Sequence, residues 1–215
     1  LDQLLSGERN FLISVVSSII SIHLMSSTLL YIIIGYLLLL LLAYLVQERF
    51  IFKPEKLHQN FKYKYDAPFR ELFFDVEPGV RINGLHFYVD KPLGLVLYFH
   101  GNSRSIKGWA KYATDFYRYQ YDVILVDYRG FGKSTGKRHE ERMYEDSQVV
   151  YHKMLTKGYA EKNIVIYGRS LGSGFACKLA SKNHPKTLYI STKIPSSSCT
   201  DWPGNCQLWR GGHRS

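Results

Sequence analysis

The chain contains Asn163-Ile-Val-Ile-Tyr-Gly-Arg-Ser-Leu-Gly-Ser-Gly174, a short apolar run that passes directly into a segment of helical period. Within this stretch, Gly168-Arg169-Ser170-Leu171-Gly172 matches G-x-S-x-G, the pattern of a sharp strand-to-helix turn that carries a nucleophilic serine. Glycine is needed two residues to either side of the serine because larger side chains would collide in so sharp a turn. The stretch therefore predicts a strand, a helix and, between them, an exposed Ser170 hydroxyl.

The segments around this stretch alternate between strand and helix patterns. Two segments with alternating polarity, Phe69–Val76 and Val80–Val89, predict antiparallel strands. Four short apolar runs predict strands buried on both faces: Gly94–His100, Val123–Val126, Ile164–Tyr167 and Leu188–Ile190. Three segments have helical period: Ile106–Tyr119, Glu141–Leu155 and Leu171–Lys182. This order of elements predicts an α/β fold with a mostly parallel sheet and flanking helices.

An apolar stretch near the N-terminus, Thr28–Val46, predicts one transmembrane helix. Its 19 residues would extend roughly 28 Å as a helix, which is close to the hydrocarbon thickness of a bilayer. A cleaved signal peptide is the alternative, but this apolar core is too long and no small-x-small cleavage site follows it. Met25 stands before the stretch, and we hypothesise that it is the native start and that residues 1–24 are upstream sequence translated by mistake. The N-terminal extension before the predicted transmembrane helix covers residues 1–27.

Basic residues follow the apolar stretch closely, whereas only Arg9 precedes it. The positive-inside rule therefore predicts a single-pass membrane protein with its domain in the cytoplasm. We expect a linker over residues 47–68, a partial domain over 69–190 and a tail over 191–215.

Composition excludes several classes of protein. The three cysteines, Cys177, Cys199 and Cys206, are too few for a disulfide scaffold and form no zinc-binding pattern, so we expect no structural metal. The net charge of +10 comes mostly from scattered lysines and arginines after Tyr151. Because no basic run is longer than two residues, we expect a solvated basic face and no nucleic-acid partner.

Four motifs together resemble the α/β-hydrolase superfamily, in particular its membrane-anchored, serine aminopeptidase-like members. They follow the apolar helix in family order: Phe50-Ile-Phe-Lys-Pro54, Leu97-Tyr-Phe-His-Gly-Asn102, Asp127-Tyr-Arg-Gly-Phe-Gly-Lys-Ser-Thr-Gly136 and Tyr167-Gly-Arg-Ser-Leu-Gly-Ser-Gly174. The resemblance covers about residues 28–190 and implies an α/β-hydrolase fold. It does not specify a substrate.

The resemblance also implies a role for each matching residue. Ser170 is the nucleophile, and the backbone N–H groups of Leu171 and Asn102 form the oxyanion hole. His100 shapes the oxyanion turn and is not the catalytic base, which family members supply later in the chain. Asp127 and Arg129 are expected to fix loop backbone. The Gly132-Lys133-Ser134 sequence is not a phosphate-binding loop, because Asp127 stands where that motif requires glycine.

The chain departs from the family pattern after the nucleophile. Only 45 residues follow Ser170, and after Ile190 the apolar period is lost, which predicts a truncated or frameshifted tail. Asp201 and His213 come in the family order for the acid and the base, but a spacing of twelve residues is too short for the strand and helix that separate these sites. We expect them to lie in a tail without defined structure, so that the fold is incomplete at the C-terminus.

These observations predict a membrane-anchored serine hydrolase that cleaves an ester, thioester or amide of a small or lipid-like acyl substrate, without a cofactor. In the present chain we expect it to be inactive, since no convincing acid and histidine are present. Two alternatives stay open: a non-catalytic truncated product, and a basic module that binds the membrane surface.

Overall fold

A computed structural model describes residues 2–51, 53–191 and 206–208 of the chain. The chain divides into two compact units, Leu1–Ile51 and Phe52–Ser215. The first unit is one helix, and the second is a sheet flanked by helices.

Helix α1 spans Asp2–Ile51 without interruption. Its segment Ile20–Val46 is long and apolar enough to cross a membrane, which extends the predicted span towards the N-terminus. The large apolar side chains of this segment are exposed, with Leu45 at 66%. The hydroxyls of Ser27 and Thr28 donate to helix carbonyls one turn earlier, at 2.7 and 2.8 Å, so they need no water. These features suit a helix that lies in lipid.

Among the described residues, the second unit contains a two-stranded and a seven-stranded sheet. The smaller sheet pairs β1 (Lys53–Pro54) with β5 (Ser103–Arg104). The strands of the larger sheet, in chain order, are β2 (Phe69–Glu77), β3 (Val80–Phe87), β4 (Gly94–Phe99), β6 (Tyr121–Val126), β7 (Ile164–Arg169), β8 (Thr187–Ser191) and β9 (Cys206–Leu208). Their order across that sheet is β2-β3-β6-β4-β7-β8-β9. Strands β2 and β3 are antiparallel to each other, β3 is antiparallel to β6, and all other neighbours are parallel. All six predicted strands are present, within two residues of the predicted bounds. The predicted α/β fold, a mostly parallel sheet with flanking helices, is confirmed.

The central strands are buried on both faces, as their continuous apolar runs predict. Leu97, Ile124 and Ile166 on neighbouring strands have no exposed surface, and each such side chain contributes about 1.5–3 kcal/mol when fully buried. Helices α3 (Glu140–Thr156) and α4 (Leu171–Lys182) cover one face. Both helices agree with the sequence prediction to within one residue.

The other face is covered by α2 (Ile106–Trp109) and a 3-10 helix over Ala110–Tyr119, where the sequence predicts one α-helix. The difference follows from the spacing of its apolar residues. Ala110, Ala113 and Phe116 recur every three residues, and 3.0 residues per turn aligns them on one side of a 3-10 helix. All three pack against the sheet. Beyond them, a groove of about 360 Å³ remains open over β7 and β8 within the described part of the chain.

Two segments that the sequence analysis leaves outside the domain contribute to it. Residues 53–68 are not only a linker: β1 (Lys53–Pro54) pairs with β5 (Ser103–Arg104), and Tyr63 is buried in the core. At the other end, β9 pairs with β8, so the expectation of a tail without defined structure fails for Cys206–Leu208. Since β8 is the last strand that the apolar pattern predicts, its outer edge would be unpaired, and the backbone of β9 hydrogen-bonds to this edge.

Candidate active site

Ser170 occupies the turn between β7 and α4. Its backbone has φ 53° and ψ −117°, a conformation that a residue other than glycine adopts only when the surroundings impose it. The residue is exposed, while Gly168 before it and Gly172 after it are buried. The strained turn therefore presents the Ser170 side chain at the end of the strand.

The two flanking glycines are required by close backbone contacts. A Cβ on Gly168 would lie 2.6 Å from the carbonyl oxygen of Gly172, and a Cβ on Gly172 would lie 2.1 Å from the carbonyl oxygen of Phe99. Real Cβ atoms do not approach backbone so closely, so only glycine fits at either position. This is the physical basis of the G-x-S-x-G pattern in this chain.

The turn that follows β4 lies beside the serine turn. Phe99 on β4 is the register partner of Gly168 on β7, so residues 100–102 and 170–171 leave the sheet at the same edge. A Cβ on Gly101 would lie 3.7 Å from the Arg169 carbonyl oxygen. The fold thus brings the segments of Ser170, Leu171 and Asn102 to one place, as the sequence analysis expects.

Each carbonyl of this turn accepts a hydrogen bond. The Tyr128 hydroxyl donates to the His100 carbonyl at 2.7 Å, His100 Nδ1 lies 2.7 Å from the Gly101 carbonyl, and the Lys53 N–H donates to the Asn102 carbonyl at 3.0 Å. The Gly101 carbonyl shares a peptide plane with the Asn102 N–H. The bond from His100 therefore sets the direction of that N–H.

His100 is buried completely and both of its ring nitrogens are engaged. Besides the contact to Gly101, its Nε2 lies 3.2 Å from Asp127 Oδ1, and the same oxygen accepts the Ile106 N–H at 2.9 Å. Burial raises the pKa of Asp127, while the hydrogen bonds from His100 and Ile106 oppose this rise. With no exposed surface and no free nitrogen, His100 cannot serve Ser170 as a base. Its role in shaping the turn agrees with the sequence analysis.

Arg129 has a different role from the expected one. Its guanidinium forms a bidentate pair with Asp146 on α3, at 2.6 and 2.7 Å, and a further bond to Glu77 at 2.5 Å. It therefore joins helix α3 to the antiparallel end of the sheet and does not fix loop backbone. Asp127 does bind backbone, through Ile106, as expected.

Arg169, the residue between Gly168 and Ser170, packs on two aromatic rings that precede it in the chain. Its guanidinium carbon lies 5.1 Å from the ring centre of Trp109 and 4.9 Å from that of Tyr112. These cation–π contacts connect the serine turn to the helical segment on the second face. Sequence reasoning did not find them, because nothing local links position 169 to positions 109 and 112.

Leu171 is the first residue of α4, so its N–H lies at the positive end of the helix dipole, where negative charge is favoured. The two remaining candidates, Asp201 and His213, lie outside the described residues. Their exclusion from the site stays a prediction.

Comparisons with known proteins identify the family that the chain resembles. Residues 90–197, half of the chain, match the family model described as "Serine aminopeptidase, S33". Protein bem46 of Schizosaccharomyces pombe is 34% identical over 108 residues, which cover 49% of this chain and 36% of that protein. Alpha/beta hydrolase domain-containing protein 17C of Xenopus tropicalis is 32% identical over 110 residues, which cover 50% and 36%. The match thus spans about a third of each of these relatives.

Solved structures show the same fold at low identity. The Pyrococcus furiosus esterase PF2001 aligns with a TM-score of 0.52 and 22% identity, covering 66% of this chain and 56% of that one. An alpha-beta hydrolase from Vibrio vulnificus aligns with a TM-score of 0.52 and 23% identity, covering 57% and 45%. Since the family model extends over the same strands and turns that assemble around Ser170, the chain belongs to the α/β-hydrolase superfamily, among its serine aminopeptidase-like members.

Proposed function

We propose that this protein is a membrane-anchored serine hydrolase that cleaves an ester, thioester or amide through an acyl-Ser170 intermediate. The observation that carries the proposal is the strained backbone of Ser170, at φ 53°, exposed between two glycines that tolerate no Cβ. Strain of this kind persists where the surrounding structure imposes it, and it is concentrated at active sites.

The reaction follows from the groups around Ser170. The Ser170 Oγ attacks the substrate carbonyl, and the N–H groups of Leu171 and Asn102 stabilise the oxyanion that forms. The bond to the alcohol, thiol or amine then breaks, and this leaving group departs with a proton. Water attacks the acyl-serine in the same way, releases the acid and returns the hydroxyl. Removing one such oxyanion donor costs about 10²–10³ in rate.

A general base must take the proton from Ser170, and His100 is committed to Gly101 and Asp127. We propose that the present chain is catalytically weak, because no histidine or carboxylate among the residues that the structure describes hydrogen-bonds to the Ser170 hydroxyl. In a comparable serine hydrolase, loss of the serine or of the histidine costs about 10⁶ in rate. The oxyanion hole and substrate binding alone leave about 10³–10⁴ over water.

We propose Ile20–Val46 as the membrane anchor and the cytoplasm as the location of the domain. Support comes from the exposed apolar side chains of the helix and from the basic residues that follow it. An acyl substrate with a lipid-like chain suits an enzyme held at a bilayer.

The test is covalent labelling of the full chain in detergent micelles with a fluorophosphonate probe. The Ser170 Oγ–P bond forms, the P–F bond breaks, fluoride leaves, and a base takes the hydroxyl proton. We expect little labelling in buffer and Ser170-dependent labelling when imidazole is added as a diffusible base. Ser181→Ala is the matched control, because this serine is exposed at the far end of the same helix and donates only to the Lys178 carbonyl.

The outcomes separate the proposal from its alternatives. Labelling that survives Ser170→Ala contradicts the nucleophile assignment. If the unsubstituted chain is not labelled even with imidazole, the result favours the non-catalytic product or the basic binding module. Strong labelling without imidazole that His213→Ala abolishes would instead place the tail in the site.

A further inference from the structure

A strap of five residues, 53–57, lies along the turn that carries Asn102. The Lys53 N–H donates to the Asn102 carbonyl at 3.0 Å, and the Glu55 N–H donates to the Arg104 carbonyl at 3.1 Å. These bonds form the short parallel pairing of β1 with β5. The Asn102 carbonyl therefore has a fixed partner from a segment nearly fifty residues earlier in the chain.

The opposite edge of the strap binds the glycine-rich turn after β6. The Gly132 N–H donates to the Glu55 carbonyl at 2.8 Å, and the Leu57 N–H donates to the Gly132 carbonyl at 3.0 Å. Gly132 itself lies against Asp127, since a Cβ on this glycine would be 1.9 Å from Asp127 Oδ2. The strap thus connects the Asn102 turn to the turn beside Asp127, the residue that holds His100.

The side chain of Glu55 reinforces the same connection. It accepts hydrogen bonds from the Ser105 hydroxyl at 2.8 Å and from Lys107 Nζ at 2.9 Å. Ser105 is fully buried, whereas the Glu55 and Lys107 side chains are 33% and 44% exposed. Burial alone would raise the pKa of Glu55, but the bonds from Lys107 and Ser105 lower it overall, so the carboxylate stays ionised at neutral pH.

We propose that Glu55 is a positioning residue for the oxyanion turn, acting through the strap. The inference rests on the proposed function, because it assigns a catalytic purpose to the turn. An oxyanion donor is effective only at about 2.7–3.1 Å from the developing charge, so small displacements of the turn reduce the rate. The strap and the Glu55 carboxylate hold residues 102–107 through contacts that are separate from those of His100 and Tyr128.

The experiment compares Glu55→Ala with Glu55→Gln in the full chain in detergent micelles, with imidazole present. Glutamine retains an oxygen that can accept from Ser105, so it is the conservative rescue. Glu145→Ala is the matched control, since Glu145 also pairs with a basic side chain, Arg142, and is 57% exposed on α3. We measure the rate of fluorophosphonate labelling of Ser170 and the amide hydrogen exchange of residues 100–105, well below the unfolding temperature of every variant.

We expect Glu55→Ala to slow labelling about tenfold, less than the 10²–10³ lost with a whole donor. The amide hydrogen exchange rate of residues 100–105 should rise about tenfold in the same variant. Glu55→Gln should restore most of the labelling rate and of the protection from exchange, and Glu145→Ala should change neither rate. Unchanged exchange in Glu55→Ala overturns the inference, as does faster exchange with an unchanged labelling rate. If the unsubstituted chain shows no Ser170-dependent labelling, both the proposed function and this inference are overturned. If the unsubstituted chain is labelled and only the Glu55 results differ from those expected, the inference alone is overturned.

Discussion

Replacing Gly172 by alanine tests whether the serine turn is held by backbone contact with β4. The added Cβ would lie 2.1 Å from the carbonyl oxygen of Phe99, 2.5 Å from its carbonyl carbon and 2.8 Å from the carbonyl oxygen of His100. An ordinary contact between carbon and oxygen is about 3.3 Å or more, so helix α4 and the end of β4 must separate by about 1 Å. Overpacking costs about 1–3 kcal/mol, and the contact with backbone atoms places this substitution at the upper end.

Gly174→Ala is the matched control, one turn into the same helix. Its Cβ would meet only the Tyr144 hydroxyl at 3.4 Å, and alanine is favoured over glycine inside a helix by about 0.5–1 kcal/mol. For a domain of this size, 1 kcal/mol shifts Tm by about 2–4 °C. Gly172→Ala should therefore lower Tm by about 6–12 °C, while Gly174→Ala should raise it by about 1–4 °C.

The assay is thermal unfolding of the full chain in micelles, followed by near-ultraviolet circular dichroism of the aromatic residues of the domain. Fluorophosphonate labelling with imidazole is measured on the same samples, and we expect Gly172→Ala to lose it. An alanine at position 172 that leaves both Tm and labelling unchanged would refute the reasoning, because the close approach to Phe99 would then not constrain the turn.

Three further predictions follow from other contacts. Asp146→Asn should lower the free energy of unfolding in urea by about 3–5 kcal/mol, because Arg129 loses the carboxylate of a buried bidentate pair. The control Glu145→Gln should change this free energy by less than about 0.5 kcal/mol, and equal effects of the two substitutions would contradict the assignment. The hydrogen bond from Arg129 lowers the pKa of Glu77. The Tm difference between the unsubstituted chain and Glu77→Gln should therefore be largest at neutral pH and should vanish as the pH falls through this lowered pKa. A Tm difference that grows in acid would contradict the prediction. In intact cells, an impermeant amine reagent should modify the lysines of the domain only after permeabilisation, and modification before it would reverse the predicted topology.

The G-x-S-x-G motif around Ser170 can be recognised from sequence because its determinants are local. Glycine at positions 168 and 172, an apolar run before them and a helical period after them all lie within about twenty residues, and together they locate the Ser170 turn. The buried strands can also be predicted from sequence, since short runs of β-branched and aromatic residues are typical of strands that are buried on both faces. The end points differ by up to two residues because the ends of elements depend on neighbours as well as on propensity.

The partners of charged side chains were not readable from sequence. The sequence analysis predicts that Arg129 holds loop backbone, whereas its actual partners, Glu77 and Asp146, lie 52 and 17 residues away. Nothing in the spacing of these residues indicates that β2 and α3 converge on one guanidinium. A buried cation takes carboxylate partners wherever the packing brings them, because an unpaired charge in the core is costly.

The sequence by itself determined the apolar helix, the order of strands and helices, and a serine in a turn that requires glycine, because each depends on the local conformational preferences of consecutive residues. Only the tertiary structure decided that residues 53–57 pack against the Asn102 turn, that Asp127 holds His100, and that Arg129 pairs with Glu77 and Asp146. Those features depend on hydrogen bonds and packing between segments that lie tens of residues apart. Such contacts exist only after the sheet has set the register of its strands, so no local pattern encodes them.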